Sequence, residues 1–165
     1  MTVEEVSAYI GIGSNLDRPI EQIKRAVPLL GEFSNSRICG ISSLYLSEPV
    51  GVGAQADFVN AVVCLNTSLD PIVLLKLLLQ LESDFGRVRA PEGGEARTLD
   101  LDLLLYGNQV IDTHSLIVPH PRLYQRRFAL LPLAELAPGL QIPTYGVIED
   151  LIQDCEVQRV ERIED

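Results

Sequence analysis

From Arg97 to Tyr106 the chain reads Arg-Thr-Leu-Asp-Leu-Asp-Leu-Leu-Leu-Tyr, and no other stretch restricts the possible folds as much. Strict alternation of acid and leucine is a strand signature, one face wet and the other buried. On such a strand Asp100 and Asp102 point the same way, with Cα atoms about 6.5 Å apart. Asp is a poor strand former, and the same face runs on into Leu104 and Tyr106. Two carboxylates on a half-buried face repel each other unless a cation lies between or beside them. Hard divalent cations suit that donor pair; an acidic face turned to water is the plain alternative.

The strand at Thr98–Tyr106 is the last of a series. Val6–Gly13 reads as a strand, and Pro19 opens a helix with Ile20, Ile23, Val27 and Leu30 on one side, closed by Gly31. Ile38–Leu46 and Phe58–Leu65 read as the second and third strands. Asp70 caps a leucine-rich helix with Pro71 at its first position, running to Phe85-Gly86. Two stretches rich in Gly and Pro, Ser47–Asp57 and Val88–Ala96, read as long loops. Phe128–Ala137 reads as a helix stopped by Pro138-Gly139, and the acidic stretch from Val147 as a surface helix with a frayed tail.

The order β-α-β-β-α-β predicts an α+β fold of ferredoxin-like type, an antiparallel sheet with helices on one face and additional C-terminal helices. With 165 residues, no repeat and no linker, one domain spanning 1–165 is expected. Cys39, Cys64 and Cys155 show no paired spacing and read as buried reduced thiols. The first residues lack a basic, apolar leader, and no apolar run approaches a bilayer span. A cytoplasmic monomer is therefore expected.

A formal charge of -10 argues against nucleic acid or an anionic membrane as partner. Yet six of the 13 basic residues are arginines between Arg87 and Arg127. Arg87, Arg89, Arg97, Arg126 and Arg127 frame the acid pair in sequence. Planar, permanently charged guanidinium groups suit phosphate oxygens, and phosphoryl transfer needs chiefly positioning and charge neutralisation. An Arg–Asp structural network is the plain alternative for one or two of them, but it does not easily absorb all five. His120, between Pro119 and Pro121, reads on its own as a loop histidine. Gly11-Ile12-Gly13-Ser14-Asn15 lacks the third glycine of a dinucleotide fingerprint and the lysine of a P-loop. It reads as a strand end needing small residues, against which a flat ligand could lie.

Taken in order, five motifs resemble one known family, 6-hydroxymethyl-7,8-dihydropterin pyrophosphokinase. They are Ile12-Gly13-Ser14-Asn15-Leu16, Phe58-Val59-Asn60-Ala61, Leu81-Glu82 with Gly86-Arg87-Val88-Arg89, Arg97-Thr98-Leu99-Asp100-Leu101-Asp102, and Val118-Pro119-His120-Pro121-Arg122. The resemblance extends from about Tyr9 to Pro138.

It implies diphosphate transfer from ATP to the hydroxymethyl group of a reduced pterin, with release of AMP, in tetrahydrofolate biosynthesis. Asp100 and Asp102 would hold two Mg²⁺ ions and, with Arg87 and Arg97, form the catalytic set. Asn60 would read the pterin's polar edge between Phe58 and Phe128, in a subsite completed by Gly13, Ser47, Pro49 and Val50. Glu82, Arg87, Leu103, His120 and Arg126 would hold the nucleotide, and Arg89 and Arg97 would meet the triphosphate as a loop closes. Ser47–Asp57 and Val88–Ala96 correspond to the family's two lid loops. Ala90 and Gly94 stand where some members carry a cation and an aromatic, which implies looser closure. A two-metal transferase acting on another alcohol, or a non-catalytic module of the same fold, would share parts of this pattern.

Overall fold

The computed structural model describes residues 4–16, 18–48, 57–86, 99–155 and 158–163. Five of the expected site residues, Pro49, Val50, Arg87, Arg89 and Arg97, lie outside them, as do both lid-loop interiors with Ala90 and Gly94.

Strand β1 (Val6–Ser14) leads into helix α1 (Pro19–Leu30), then come β2 (Ser36–Ile41), β3 (Tyr45–Ser47) and β4 (Phe58–Thr67). Helix α2 (Pro71–Asp84) precedes β5 (Asp100–Tyr106). Short strands β6 (Ile111–Asp112) and β7 (Ile117–Val118) form a hairpin before helix α3 (Arg127–Leu136). A second small hairpin, β8 (Gln141–Ile142) and β9 (Gly146–Val147), leads to α4 (Ile148–Asp154) and β10 (Val160–Arg162).

The main sheet is antiparallel, in the order β10-β3-β4-β1-β5, with β2 also pairing to β4. α1 and α2 cover one face. Their Ile23, Leu30, Leu74 and Leu78 are at most 1% exposed and pack with Ile10, Val63 and Leu65 of the sheet. Each such leucine or isoleucine contributes on the order of 1.5–3 kcal/mol. The Asp70 carboxylate accepts from the Ile72 N–H at 2.9 Å, with Pro71 in the first turn. That cap is worth about 1 kcal/mol.

Several sequence expectations need correction. Helices lie on both faces: Ala129, Leu130 and Leu133 of α3, with Ile148 of α4, pack on the side carrying Val62 and Leu104. The second strand is two strands, because the chain leaves the ladder at Ser42, whose Oγ accepts from the Val62 N–H at 2.8 Å. Ile20 remains 36% exposed, and Gln22 takes a buried place in α1. The acidic tail adds β10 to the sheet edge, opposite β3.

Cys64 is buried, but Cys155 is half-buried and Cys39 exposed. A register shift between Ile38 and Gly40 sets Cys39 beside Cys64. Burial first, and Cys39 second, push the Cys64 thiol up to about 12.

β5 carries an irregularity of direct consequence. Ile10 pairs with Leu103 and Tyr9 with Leu105, so Leu104 is an extra residue in the ladder. Such a bulge breaks the period of two. Leu104 and Leu105 both pack with the α3 side, and Tyr106 turns to the α1–α2 core, where its hydroxyl donates to the Leu69 carbonyl. Tyr106 therefore does not share a face with Asp100 and Asp102.

Candidate active site

α3 covers only part of its face of the sheet, and beyond its first turn lies a cleft of about 450 Å³. Its floor is the paired segment of β1, β4 and β5. Asn60, Gly13 and Asp100 lie in register across three adjacent strands, and Gly11 pairs with Asp102. Paired residues on neighbouring strands point the same way. Asn60 and Asp100 thus stand on either side of a glycine, about 10 Å apart at two strand spacings. The small residues at 11 and 13 are explained by this floor. A Cβ on Gly13 would come 2.8 Å from the Asn60 Oδ1, and one on Gly11 3.3 Å from Leu104.

At one end of the cleft, Asp100 and Asp102 are half-buried on β5. An Arg126 terminal nitrogen lies 3.2 Å from the Asp102 Oδ2, and its guanidinium sits 5.8 Å from the centre of the Phe128 ring. His120 follows the cis Val118–Pro119 bond. Its backbone N–H donates to the carbonyl of Leu104, the residue that the bulge sets apart.

The imidazole faces Asp102, Nε2 to Oδ1, across 3.9 Å. The Arg122 N–H donates to its Nδ1 at 3.2 Å, so the neutral ring carries its proton on Nε2, turned to Asp102. Burial pulls the imidazole down to about 4, with Arg126 and Arg122 acting the same way against Asp100. At neutral pH His120 is an uncharged donor, not a cation.

Towards the other end, Phe58 lines the cleft with Ser47 and Asn60, and Phe128, against Arg126, stands between the two ends. Both polar residues are buried, Ser47 at 2% and Asn60 at 6% exposure, and the Asn60 Nδ2 donates to the Ser47 Oγ at 2.7 Å. That bond fixes which way the carboxamide points. One end of the cleft is therefore charged, and the other is aromatic with a single oriented amide.

Two expected site residues face elsewhere. Glu82 is 2% exposed on α2, where its carboxylate accepts from the Leu101 N–H at 2.7 Å. Leu103, 3% exposed, packs in the core on the α1–α2 side. The cleft brings together Gly13, Ser47, Phe58, Asn60, Asp100, Asp102, Arg126 and Phe128, with His120 against Asp102. Arg127 turns away: it donates to the Ile152 carbonyl at 3.3 Å and ties α3 to α4. Arg122 and Gln125 line the cleft instead. For Arg122 the signal in the sequence is the Pro119-His120-Pro121-Arg122 connection itself, whose last residue is as much a candidate as its histidine; Gln125 has no such signal. Adjacent arginines at 126 and 127 cannot be told apart until the start of α3 is known, since successive helical side chains diverge by about 100°.

The family model for 7,8-dihydro-6-hydroxymethylpterin-pyrophosphokinase matches residues 9–138. The 2-amino-4-hydroxy-6-hydroxymethyldihydropteridine pyrophosphokinase of Haemophilus influenzae is 43% identical over 148 residues, 90% of this chain and 92% of that protein. The enzyme of the same name from Bacillus subtilis is 45% identical over 134 residues, 81% of this chain and 80% of that protein.

Among solved structures, Plasmodium falciparum HPPK-DHPS with pteroate superposes with a TM-score of 0.72 at 15% identity. It covers 93% of this chain, which spans 43% of that longer one. A match over most of the chain, with relatives above 40% identity along at least 80% of their length, places this chain in the 7,8-dihydro-6-hydroxymethylpterin-pyrophosphokinase family.

Proposed function

We propose that this chain transfers diphosphate from ATP to the hydroxymethyl group of 6-hydroxymethyl-7,8-dihydropterin across the glycine floor of the cleft, releasing AMP. The observation that carries the reading is the in-register row Asn60–Gly13–Asp100. It sets a group able to read a pterin edge about two strand spacings from a carboxylate, with no side chain between.

The pterin ring lies between Phe58 and Phe128, which offer aromatic faces to a flat heterocycle. Asn60, turned by Ser47, reads its polar edge. The hydroxymethyl group then points along the floor towards Asp100. The substrate hydroxyl oxygen bonds to the β-phosphorus and gives up its proton to solvent, as the bond from that phosphorus to the α–β bridging oxygen breaks, and AMP leaves with that oxygen. Arg126 and the Nε2–H of His120 hold phosphate oxygens in place. Arg87, Arg89 and Arg97 are assigned to the same polyphosphate on the family's pattern.

Asp100 and Asp102 fit a pair of Mg²⁺ ions: both are hard oxygen donors, on one face and open to the cleft. Among the described residues no third metal-binding side chain joins them, which leaves positions for phosphate oxygens and water. When bound, the ions supply charge neutralisation of the polyphosphate.

The order of the long strands, β5-β1-β4 with β2 and β3 beyond, supports the ferredoxin-like assignment, in one domain. A cytoplasmic monomer without nucleic-acid or membrane partners is proposed on the formal charge of -10. Among the described residues, no helix is long and apolar enough to cross a membrane.

The test is AMP release with ATP, Mg²⁺ and the pterin, beside an Asp100→Ala, Asp102→Ala double variant. AMP that forms only with the pterin present, and is lost in the variant, supports the reading. AMP formed with other alcohols but not with the pterin sinks it.

A further inference from the structure

We propose that the C-terminal strand forms part of the frame of the pterin subsite, with Arg159 as a positioning residue; this rests on the reading of the cleft given above. β3 has three residues and carries Ser47 at its end. A strand that short is held weakly by one neighbour, and its outer edge would be unpaired without β10. β10 covers that edge, with Val160 opposite Ser47 and Arg162 opposite Tyr45. The Ile163 N–H donates to the Leu44 carbonyl at 2.8 Å.

Arg159, just before β10, then spans Glu48, which lines the cleft, and Asp57, which adjoins it. Its terminal nitrogen is 2.8 Å from the Asp57 Oδ2, and its backbone N–H donates to the Glu48 Oε1 at 3.2 Å. The Glu48 N–H donates to the Arg159 carbonyl at 3.4 Å, and the Gln158 side chain donates to the Glu48 carbonyl at 3.1 Å. Glu48 follows Ser47, and Asp57 precedes Phe58.

One residue from the end of the chain therefore grips both sides of the β3–β4 pair where Ser47 meets Phe58. Ser47 orients Asn60, and Phe58 forms one wall. The grip acts on the pterin end of the cleft. Asp100, Asp102 and His120, at the nucleotide end, lie on other elements. A strand that merely stabilised the fold would loosen both ends together.

The experiment uses the full chain with Arg159→Gln, Arg159→Lys and Asp57→Asn. Dissociation constants for the pterin (by its fluorescence) and for the Mg²⁺ complex of a non-hydrolysable ATP analogue are measured separately. Arg159→Gln and Asp57→Asn are each expected to weaken pterin binding about three- to fivefold, the upper part of the range for an exposed ion pair. The nucleotide constant should stay unchanged, and Arg159→Lys should recover most of the loss. The double variant should be no weaker than either single one. Arg37→Gln, which removes an exposed cation beside Glu5, should move neither constant. Unchanged pterin binding in Arg159→Gln, or an equal loss for both ligands, overturns the inference. Wild-type protein that binds no pterin overturns the reading beneath it instead.

Discussion

The carboxamide of Asn60 occupies the space that a side chain on Gly13 would need: a Cβ there would come 2.8 Å from Oδ1. Gly13→Ala must push that amide off Ser47 or bend β1. Loss of an oriented buried hydrogen bond costs about 1–3 kcal/mol, so pterin affinity should fall about ten- to a hundredfold. Titration of the variant with pterin, and separately with nucleotide, checks this. A matching loss of nucleotide affinity would point to a bent strand instead of a displaced amide.

Asp100→Asn and Asp102→Asn should each lower kcat/KM by about 10²–10³, the range for removing a group that organises transition-state charge. Unfolding free energy should move by less than about 1 kcal/mol, since the pairing of Asp102 with Arg126 is partly exposed. Steady-state kinetics beside urea unfolding separates the two effects. A variant that lost stability in step with activity would reassign the acids to the fold.

Glu82 should report on stability. Glu82→Ala removes the acceptor of the buried Leu101 N–H at the entrance to the acid strand, at a cost of about 2–4 kcal/mol. Glu82→Gln keeps an acceptor oxygen and should cost less. Urea denaturation of the three proteins gives the answer. Weakened nucleotide binding in Glu82→Gln at unchanged stability would instead support the contact implied by the family resemblance.

Glu135 gives the fold an acid-sensitive clasp. Its carboxylate accepts from the Tyr45 hydroxyl at 2.7 Å and the Ser43 N–H at 2.8 Å, tying α3 to β3. Burial raises its pKa, but the bonds from Tyr45 and Ser43, with Arg162 nearby, outweigh it, and the net shift is downward. A carboxylate lowered on folding adds stability above its unfolded pKa and loses it as pH falls through the folded one. The stability gap between wild type and Glu135→Gln should therefore be about 1 kcal/mol at pH 7, discounted for exposure, and close below pH ~4. Urea midpoints at pH 7 and pH 3.5 test it; a gap that widened on acidification would refute the clasp.

Much of this molecule could be read from local chemistry. Asp70-Pro71 marked the start of α2 because cap and first turn are local events. The Asp-Leu alternation marked β5 because its period is two. Phe58 and Asn60 came from motif resemblance, and the structure places both on the cleft.

What escaped depends on partners distant in sequence. Val160–Arg162 has a single apolar residue and becomes a strand through β3. The break at Ser42 exists because its hydroxyl meets Val62. Tyr106 changes face because β5 carries one extra residue, Leu104, that has no partner in its register with β1. Arg126 reaches the cleft and Arg127 turns to Ile152 because the start of α3 sets where each guanidinium points.

The carbonyl released by the bulge at Leu104 holds the backbone of His120 at 3.0 Å, and the Gly107 N–H is held by the Ser7 carbonyl at 2.9 Å. The excursion between Gly107 and His120 is thus fastened at both feet. Its length can drift without moving the imidazole relative to the carboxylates, because their spacing is set at Leu104 and not by the path between. This makes the exposed tip of the β6–β7 hairpin, at His114 and Ser115, a natural place to graft a peptide or reporter onto an enzyme that keeps working.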